Sequence, residues 1–329
     1  MPTSLPRLPL AHLPTPLEFL PRLSAELGPR IYVKRDDQTG LAGGGNKTRK
    51  LEYLVAAALA QKADTLITIG AVQSNHCRQT AAAAAKAGLR CILVLGGDEP
   101  PATTGNLLLD HLLGAQVVWA GNRSRDAVME EVAAAERAAG RQPYPVPLGG
   151  STPLGAVAYA LAMEELQTQT VGATLRVAPT PSFSRILFAS SSGGTHAGLV
   201  VGKQLTGFGG EILGISVDED HETLTNIVAR IATETATLLG HPHTYTPAHI
   251  SANTDYLGAG YASMGPPERE AIKLFAQTEG LLVDPVYTGR AAAGMIDLIR
   301  RGTIKQDETI LFWHTGGTPA LYAYAALLA

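Results

Sequence analysis

The chain has 329 residues, 45% of them hydrophobic and 17% charged, with 5% aromatics and a net charge of −3. That length can bury one large or two mid-sized cores, and the near-neutral balance without a run of Lys and Arg argues against a nucleic-acid partner. Two cysteines (Cys77, Cys91) cannot build a disulfide framework, no Cys/His spacing suits a metal, and no stretch approaches the ~20 apolar residues of a membrane helix, so the expectation is a soluble, cytoplasmic protein with neither metal nor membrane partner.

Residues 31–34 (IYVK) form a short β-rich run ahead of a polar, glycine-rich stretch, 35–46. From Lys47 to about Lys62, Leu51, Leu54, Val55 and Leu59 recur at helical spacing. Residues 65–69 read as a strand, 70–75 as a turn and 78–87 as an alanine-rich helix. A strand at 90–95, a helix around 106–113 and a strand at 116–119 follow. Beyond Gly155 come a helix at 157–167, an exposed polar loop at 168–184, a strand at 185–189 and a helix from about Thr195. Residues 212–217, 281–283 and 309–313 read as further strands. Short apolar strands alternating with alanine-rich helices indicate an α/β fold with a parallel sheet.

Ligands of open α/β sheets bind outside the carboxyl ends of the strands, and three turns there are rich in small and polar residues. The turn 190–198 (SSSGGTHAG) lets backbone N–H groups converge at a helix start, a cradle for phosphate; it also reads as a plain tight turn. It has neither the Walker nor the dinucleotide spacing. The turn 43–50 (GGGNKTRK) puts Lys47, Arg49 and Lys50 at a helix N-terminus, where the dipole disfavours cations unless an anion compensates them. A lysine in such a partly buried place can lose its proton and condense with an aldehyde. The turn 70–76 (GAVQSNH) offers a hydroxyl, an amide and an imidazole; Ser74 reads equally as a helix N-cap. His76 and His196 are ligand contacts or turn-stabilising groups, and Cys77 reads as packing. His241 and His243 read as solvent-facing, and Asp36 and Asp37 as partners of Arg or Lys rather than paired catalytic acids.

Taken together, KRDDQTGLAGGGNKTRKLEYL, GAVQSNHCRQTAAAAAKAG, LGGSTPLGAVAY, SSSGGTHAG, TDYLGAGYA, LLVDPVYTGRAAAGMIDLI and FWHTGGTPALYAY resemble the tryptophan-synthase-β-like enzymes of pyridoxal phosphate. Within them the likeness is to the branch of D-cysteine desulfhydrase, 1-aminocyclopropane-1-carboxylate (ACC) deaminase and L-cysteate sulfo-lyase. The resemblance implies two open, mostly parallel sheets flanked by helices. It also implies a smaller domain, 50–161, inserted in a larger one, 1–49 plus 162–329, with pyridoxal phosphate in the cleft, and a homodimer.

By the same resemblance Lys47 carries the cofactor, and Lys50 with Ser192, Gly193, Gly194 and Thr195 clamps its phosphate. Asn75 faces the ring hydroxyl, Ser74 meets the substrate carboxylate with His76 nearby, and Tyr261 and Tyr287 stand by the reacting carbons. ACC deaminases carry Glu and Leu where this chain has Thr288 and Thr315, and commonly QSNQ where it has QSNH. A hydroxyl at 288 facing the pyridine nitrogen would make a milder electron sink. The implied reaction is α,β-elimination from D-cysteine or 3-chloro-D-alanine, with cysteate or ACC as alternative substrates. A ligand-binding relative without turnover is opposed by the presence of Lys47, Ser74, Asn75 and Tyr287. A nicotinamide dehydrogenase is opposed by the lack of a suitable GxGxxG.

Overall fold

The computed structural model describes residues 5–172 and 181–328. Among these, the strands are β1 (Leu17–Phe19), β2 (Arg30–Lys34), β3 (Thr65–Gly70), β4 (Arg90–Leu95) and β5 (Gln116–Trp119). They continue with β6 (Pro143–Val146), β7 (Arg185–Ser190), β8 (Glu211–Ser216), β9 (Ser251–Asn253) and β10 (Thr309–Trp313). The helices are α1 (Pro21–Leu27), α2 (Lys47–Ala60), α3 (Asn75–Ala87), α4 (Gly105–Leu112), α5 (Arg125–Ala138) and α6 (Pro153–Gly172). After them come α7 (Gly194–Thr206), α8 (His221–Leu238), α9 (Pro266–Glu279), α10 (Thr288–Arg300) and α11 (Ala325–Leu328).

They make two sheets, one ordered β1-β2-β10-β7-β8-β9 and one ordered β5-β4-β3-β6. Every pairing is parallel except β1 with β2. The four-stranded sheet is contributed by a segment lying between β2 and β7 in the chain. Parallel strands covered on both faces read as continuous apolar runs, and every residue of β3 (TLITIG) is buried. Apolar cores lie against each sheet, one of them formed by Phe188, Val201 and Val228 with Trp313.

Two readings need correction. Residues 281–283 are not a strand. The Leu281 N–H donates to Phe275 O at the end of α9, and Leu282 O accepts from His314 Nε2 and Thr318 Oγ1, so this backbone is satisfied without a neighbouring strand. The loop expected from 168 begins later, because α6 continues to Gly172. Thr168 and Thr170 turn their hydroxyls back onto Glu164 O and Gln167 O, and Gln169 binds both Lys34 Nζ and Thr15 O. Residues 173–180 of that expected loop lie outside the described residues. Strand β6 (PYPV) pairs on one side only, as the edge strand its two prolines permit.

Asp36 and Asp37 sit as expected for charge partners. Arg35 grips Asp37 at 2.7 Å, and Asp36 is fully buried against Arg49 at 2.8 Å. His241 and His243 are exposed, and both cysteines are buried free thiols.

Candidate active site

The three glycine-rich turns converge on one cavity of about 380 Å³, at the carboxyl ends of β3 and β7 and the start of α2. Lys47, Lys50, Ser74, Asn75, His76, Ser192, Gly193, Gly194, Thr195, Tyr261, Tyr287 and Thr315 all line it, so every residue singled out for cofactor or substrate except Thr288 is brought together.

Lys47 opens α2, and its Nζ donates to Asn46 Oδ1 at 2.9 Å. Burial lowers its pKa to about 8, against the charge of Asp284, which raises it, and with Arg78, which lowers it further. A substantial share of this amine is therefore neutral near physiological pH and able to attack a carbonyl.

Lys50, one turn later, is 1% exposed. Its Nζ reaches only Gly149 O at 3.2 Å and Ser151 Oγ at 3.4 Å, and among the described residues no carboxylate pairs with it. Burial, aided by Lys47, drives its pKa well down. An ammonium held this way is stable only beside an anion.

The turn after β7 supplies the rest of such an anion site. Gly193 has φ +82°, which aims the start of α7 at the cavity, and a Cβ on Gly194 would come within 2.9 Å of Lys50 Nζ. The Gly194 N–H donates to Ser151 Oγ, which also shares a hydrogen bond with Ser192 Oγ at 2.8 Å. Thr195 Oγ1 accepts from Asn46 Nδ2, leaving its proton for a ligand. Backbone N–H groups, small hydroxyls and one buried lysine fit a phosphate, and the adjacent near-neutral Lys47 fits an aldehyde.

On the opposite wall Ser74 caps α3, its Oγ accepting the Cys77 N–H at 3.1 Å, so its hydroxyl proton is free for a substrate oxygen. Both readings of Ser74 are compatible. Asn75 Oδ1 accepts from Asn106 Nδ2 at 2.9 Å, which fixes the amide with its NH₂ available to the cavity. His76 Nε2 meets Thr68 Oγ1 at 2.8 Å, and that hydroxyl donates to Val146 O. His196 Nδ1 meets Ser190 Oγ at 3.1 Å. Burial keeps both imidazoles neutral, with pKa values pushed well below the ordinary range.

Tyr261 and Tyr287 face each other with hydroxyls 2.5 Å apart, and Lys47 Nζ lies 5.9 Å from the centre of the Tyr287 ring. Burial pushes Tyr261 up to about 12 and Tyr287 well above its ordinary value, so both stay protonated at neutral pH.

Thr288 is not on the cavity wall. It is fully buried, its hydroxyl donates to Asp284 Oδ1 at 2.7 Å and accepts the Asp284 N–H at 2.8 Å, and its own N–H caps the same carboxylate. In this geometry Thr288 holds the loop that presents Tyr287, whose N–H also donates to Asp284. Thr315 keeps its place on the wall, its carbonyl accepting the Asn46 N–H at 2.9 Å.

Several residues of the site were missed. Asn46 bridges Lys47 and Thr195, Asn106 orients Asn75, and Ser151 links the Lys50 amine to the phosphate turn. Arg125 and Asp218 bring the remaining formal charges to the wall. Asn46 and Ser151 were legible, since both lie inside glycine-rich motifs already singled out. Arg125 carried the signal noticed at Lys47, a cation in the first turn of a helix.

The neutral fraction of Lys47 sets an expected pH dependence. Yellow, borohydride-reducible absorbance after adding pyridoxal phosphate to apoprotein should develop roughly tenfold faster at about pH 9 than at about pH 7, the ratio expected for a free amine with a pKa near 8. A rate rising only near pH 10 would mean that burial does not lower this amine.

Comparison with known proteins agrees with this geometry. The family model described as "Pyridoxal-phosphate dependent enzyme" matches residues 8–316. A D-cysteine desulfhydrase of Klebsiella pneumoniae (strain 342) is 44% identical over 328 residues, covering 98% of this chain and 97% of that protein. A D-cysteine desulfhydrase of Yersinia enterocolitica is 46% identical over 325 residues, covering 97% of this chain and 96% of the other. A crystal structure of an ACC deaminase homologue superposes with a TM-score of 0.90 at 38% identity, covering 99% of this chain and 96% of that one. With a buried near-neutral lysine beside a phosphate cradle, and a family match over almost its whole length, this chain belongs to the pyridoxal-phosphate dependent enzymes.

Proposed function

We propose that this enzyme converts D-cysteine and water to pyruvate, ammonia and hydrogen sulfide, with 3-chloro-D-alanine as an analogue. The observation that carries the reading is the near-neutral Lys47 between the phosphate cradle and the protonated Tyr261–Tyr287 pair. The naming of the Klebsiella and Yersinia relatives supports the choice of substrate. The same resemblance extends the proposal to a cytoplasmic homodimer with domains at 1–49 plus 162–329 and 50–161. Among the described residues no helix is long and apolar enough to cross a membrane.

Bound pyridoxal phosphate supplies an electron sink for the carbanion at Cα. The protein's residues do the rest. Lys50, the Gly194 region and Thr195 would hold the cofactor's phosphate, and Asn75 would donate to its ring hydroxyl. The Ser74 hydroxyl and the N-terminus of α3 receive the substrate carboxylate. Lys47, once its amine is free, is the base we assign to the Cα proton. Tyr287, protonated and hydrogen-bonded to Tyr261, is the acid we assign to the departing sulfur.

Arg125 belongs to the carboxylate end of this arrangement. It lines the cavity at the first turn of α5, and among the described residues its guanidinium makes no hydrogen bond or ion pair. A Cβ on Gly96 would lie 3.2 Å from its Cδ, and the Gly96 N–H is bonded to Gly70 O in the Ser74 turn. Replacing it, Arg125→Gln, should raise KM for D-cysteine about tenfold with kcat nearly unchanged, the loss of one charge-assisted hydrogen bond formed equally in ground and transition states. An unchanged KM would remove Arg125 from substrate binding.

The reading as a whole is tested by pyruvate release from D-cysteine, L-cysteine, L-cysteate and ACC, side by side. Preference for D-cysteine supports it; preference for cysteate or ACC keeps the cofactor chemistry and rejects the substrate.

A further inference from the structure

Asp218 is the one carboxylate on the cavity wall among the described residues. It lies two residues past the end of β8 and is mostly buried. Its Oδ2 accepts the Ser191 hydroxyl at 2.6 Å, while Oδ1 is buried with no hydrogen-bond partner.

Two contacts fix where this carboxylate stands. Ser191 belongs to the β7–α7 turn, on the phosphate side. On the other side Arg290 Nη1 donates to both Val217 O, at 2.9 Å, and Gly260 O, at 3.1 Å, tying the residue before Asp218 to the residue before Tyr261. Asp218 is thereby held between the phosphate cradle and the tyrosine pair, on the side where a substrate's β-substituent meets Tyr261 and Tyr287.

Among the described residues no ion pair neutralises it. Arg290 is committed to Glu268 at 2.8 Å and to the carbonyls of Val217, Gly260 and Ser263, and no recorded ion pair includes Asp218. Burial pushes its pKa up, with the Ser191 hydroxyl, the Glu219 backbone and the charge of Arg290 opposing. The cavity is therefore polarised: Lys50 serves the phosphate, Arg125 and Ser74 face the carboxylate end, and a carboxylate without an ion-pair partner faces the β-substituent.

We propose that Asp218 is a specificity-determining residue that reads the charge of the β-substituent, rejecting anionic groups such as a sulfonate or carboxylate and admitting thiols and β-ammonium groups. 2,3-Diaminopropionate is then a second ligand class for this cavity. The proposal rests on the functional reading above for which end of the cavity takes the β-substituent. It places discrimination against cysteate in a residue on the wall itself.

The test uses holoenzyme and near-isosteric ligand pairs in both enantiomers: aspartate against asparagine, and 2,3-diaminopropionate against serine. Dissociation constants are read from the change in cofactor absorbance on binding, which requires no turnover. In the unmodified protein aspartate should bind about a hundredfold more weakly than asparagine, the size expected for two like charges in a partly buried site. Diaminopropionate should bind at least as tightly as serine. The Asp218→Asn variant should bring aspartate within a few-fold of asparagine, Asp218→Ser should do the same, and Asp218→Glu should keep the discrimination. Equal binding of aspartate and asparagine by the unmodified protein, or a ratio unmoved in both neutral variants, would overturn the proposal. Pyruvate release from D-cysteine is measured on the same preparations. Charge discrimination without D-cysteine turnover would sink the substrate assignment and leave the Asp218 role standing; turnover without discrimination would do the reverse.

Discussion

Lys47→Ala should lose the borohydride-reducible yellow absorbance altogether and reduce pyruvate release by at least about a thousandfold, since it removes both the amine that carries the cofactor and the base assigned to Cα. The cavity itself should survive. Lys47 makes a single recorded hydrogen bond, to Asn46 Oδ1, and α2 keeps its buried face through Leu51, Leu54 and Val55. Thermal unfolding of the variant should therefore stay close to that of the unmodified apoprotein. Pyridoxal phosphate should still bind weakly and reversibly through Lys50 and the Gly193–Gly194 turn, seen as absorbance that dialysis removes. A variant that still held reducible cofactor would place the attachment elsewhere.

Asp36→Ala should cost about 3–5 kcal/mol of stability, measured as a lowered denaturant midpoint, because it strips a buried ion pair of one partner. The Asp36 carboxylate is fully buried and accepts from Arg49 Nε and Nη2, Tyr159 OH, Trp313 Nε1 and Thr15 Oγ1, all within 3.0 Å. Removal orphans a phenol and an indole N–H and leaves Arg49 with Glu165 as its ion-pair partner beside the Thr15 hydroxyl. Arg49 lies two residues after Lys47, so the loss should loosen the start of α2 as well. Burial opposes the charged form of Asp36, yet the charges of Arg49 and Lys34 and the hydrogen bonds from Arg49 and Tyr159 together outweigh it and hold the pKa below the ordinary carboxylate value. A depressed folded-state pKa gives stability that is complete above the unfolded value and lost as pH falls through the folded one. This network should therefore contribute fully at neutral pH and fail only in acid below about pH 4, the ordinary carboxylate range. A midpoint moved by less than about 1 kcal/mol would show that the site relaxes around the missing carboxylate.

Much of this was legible in one dimension. The strands β3, β4 and β10 fall where short apolar runs put them, because a strand covered on both faces must be apolar along its length. Where the chain departs from that pattern the reading failed. The run 281–283 is apolar enough for a strand, but its carbonyl at Leu282 is claimed by His314 and Thr318, partners a local reading cannot supply. The edge strand β6 was hidden by Pro143 and Pro145, residues tolerated only because one side of it has no neighbour.

The site divides in the same way. Lys47, Lys50, Ser74, Asn75 and the Ser192–Thr195 turn were visible because glycine-rich strand-to-helix turns announce themselves locally, by residues that let the backbone approach a ligand. The amino-acid sequence by itself determined the α/β class and the three glycine-rich turns that meet at one cavity, and its resemblance to a known family pointed to Lys47 among them. Only the tertiary structure decided that Thr288 turns its hydroxyl onto Asp284, that Asn106 orients Asn75, and that Arg125 and Asp218 reach the same cavity from different sheets. A side chain's charge is written in the sequence, but its counter-charge is chosen by folding: Arg290 bonds the carbonyl of Val217, next to Asp218, yet pairs with Glu268.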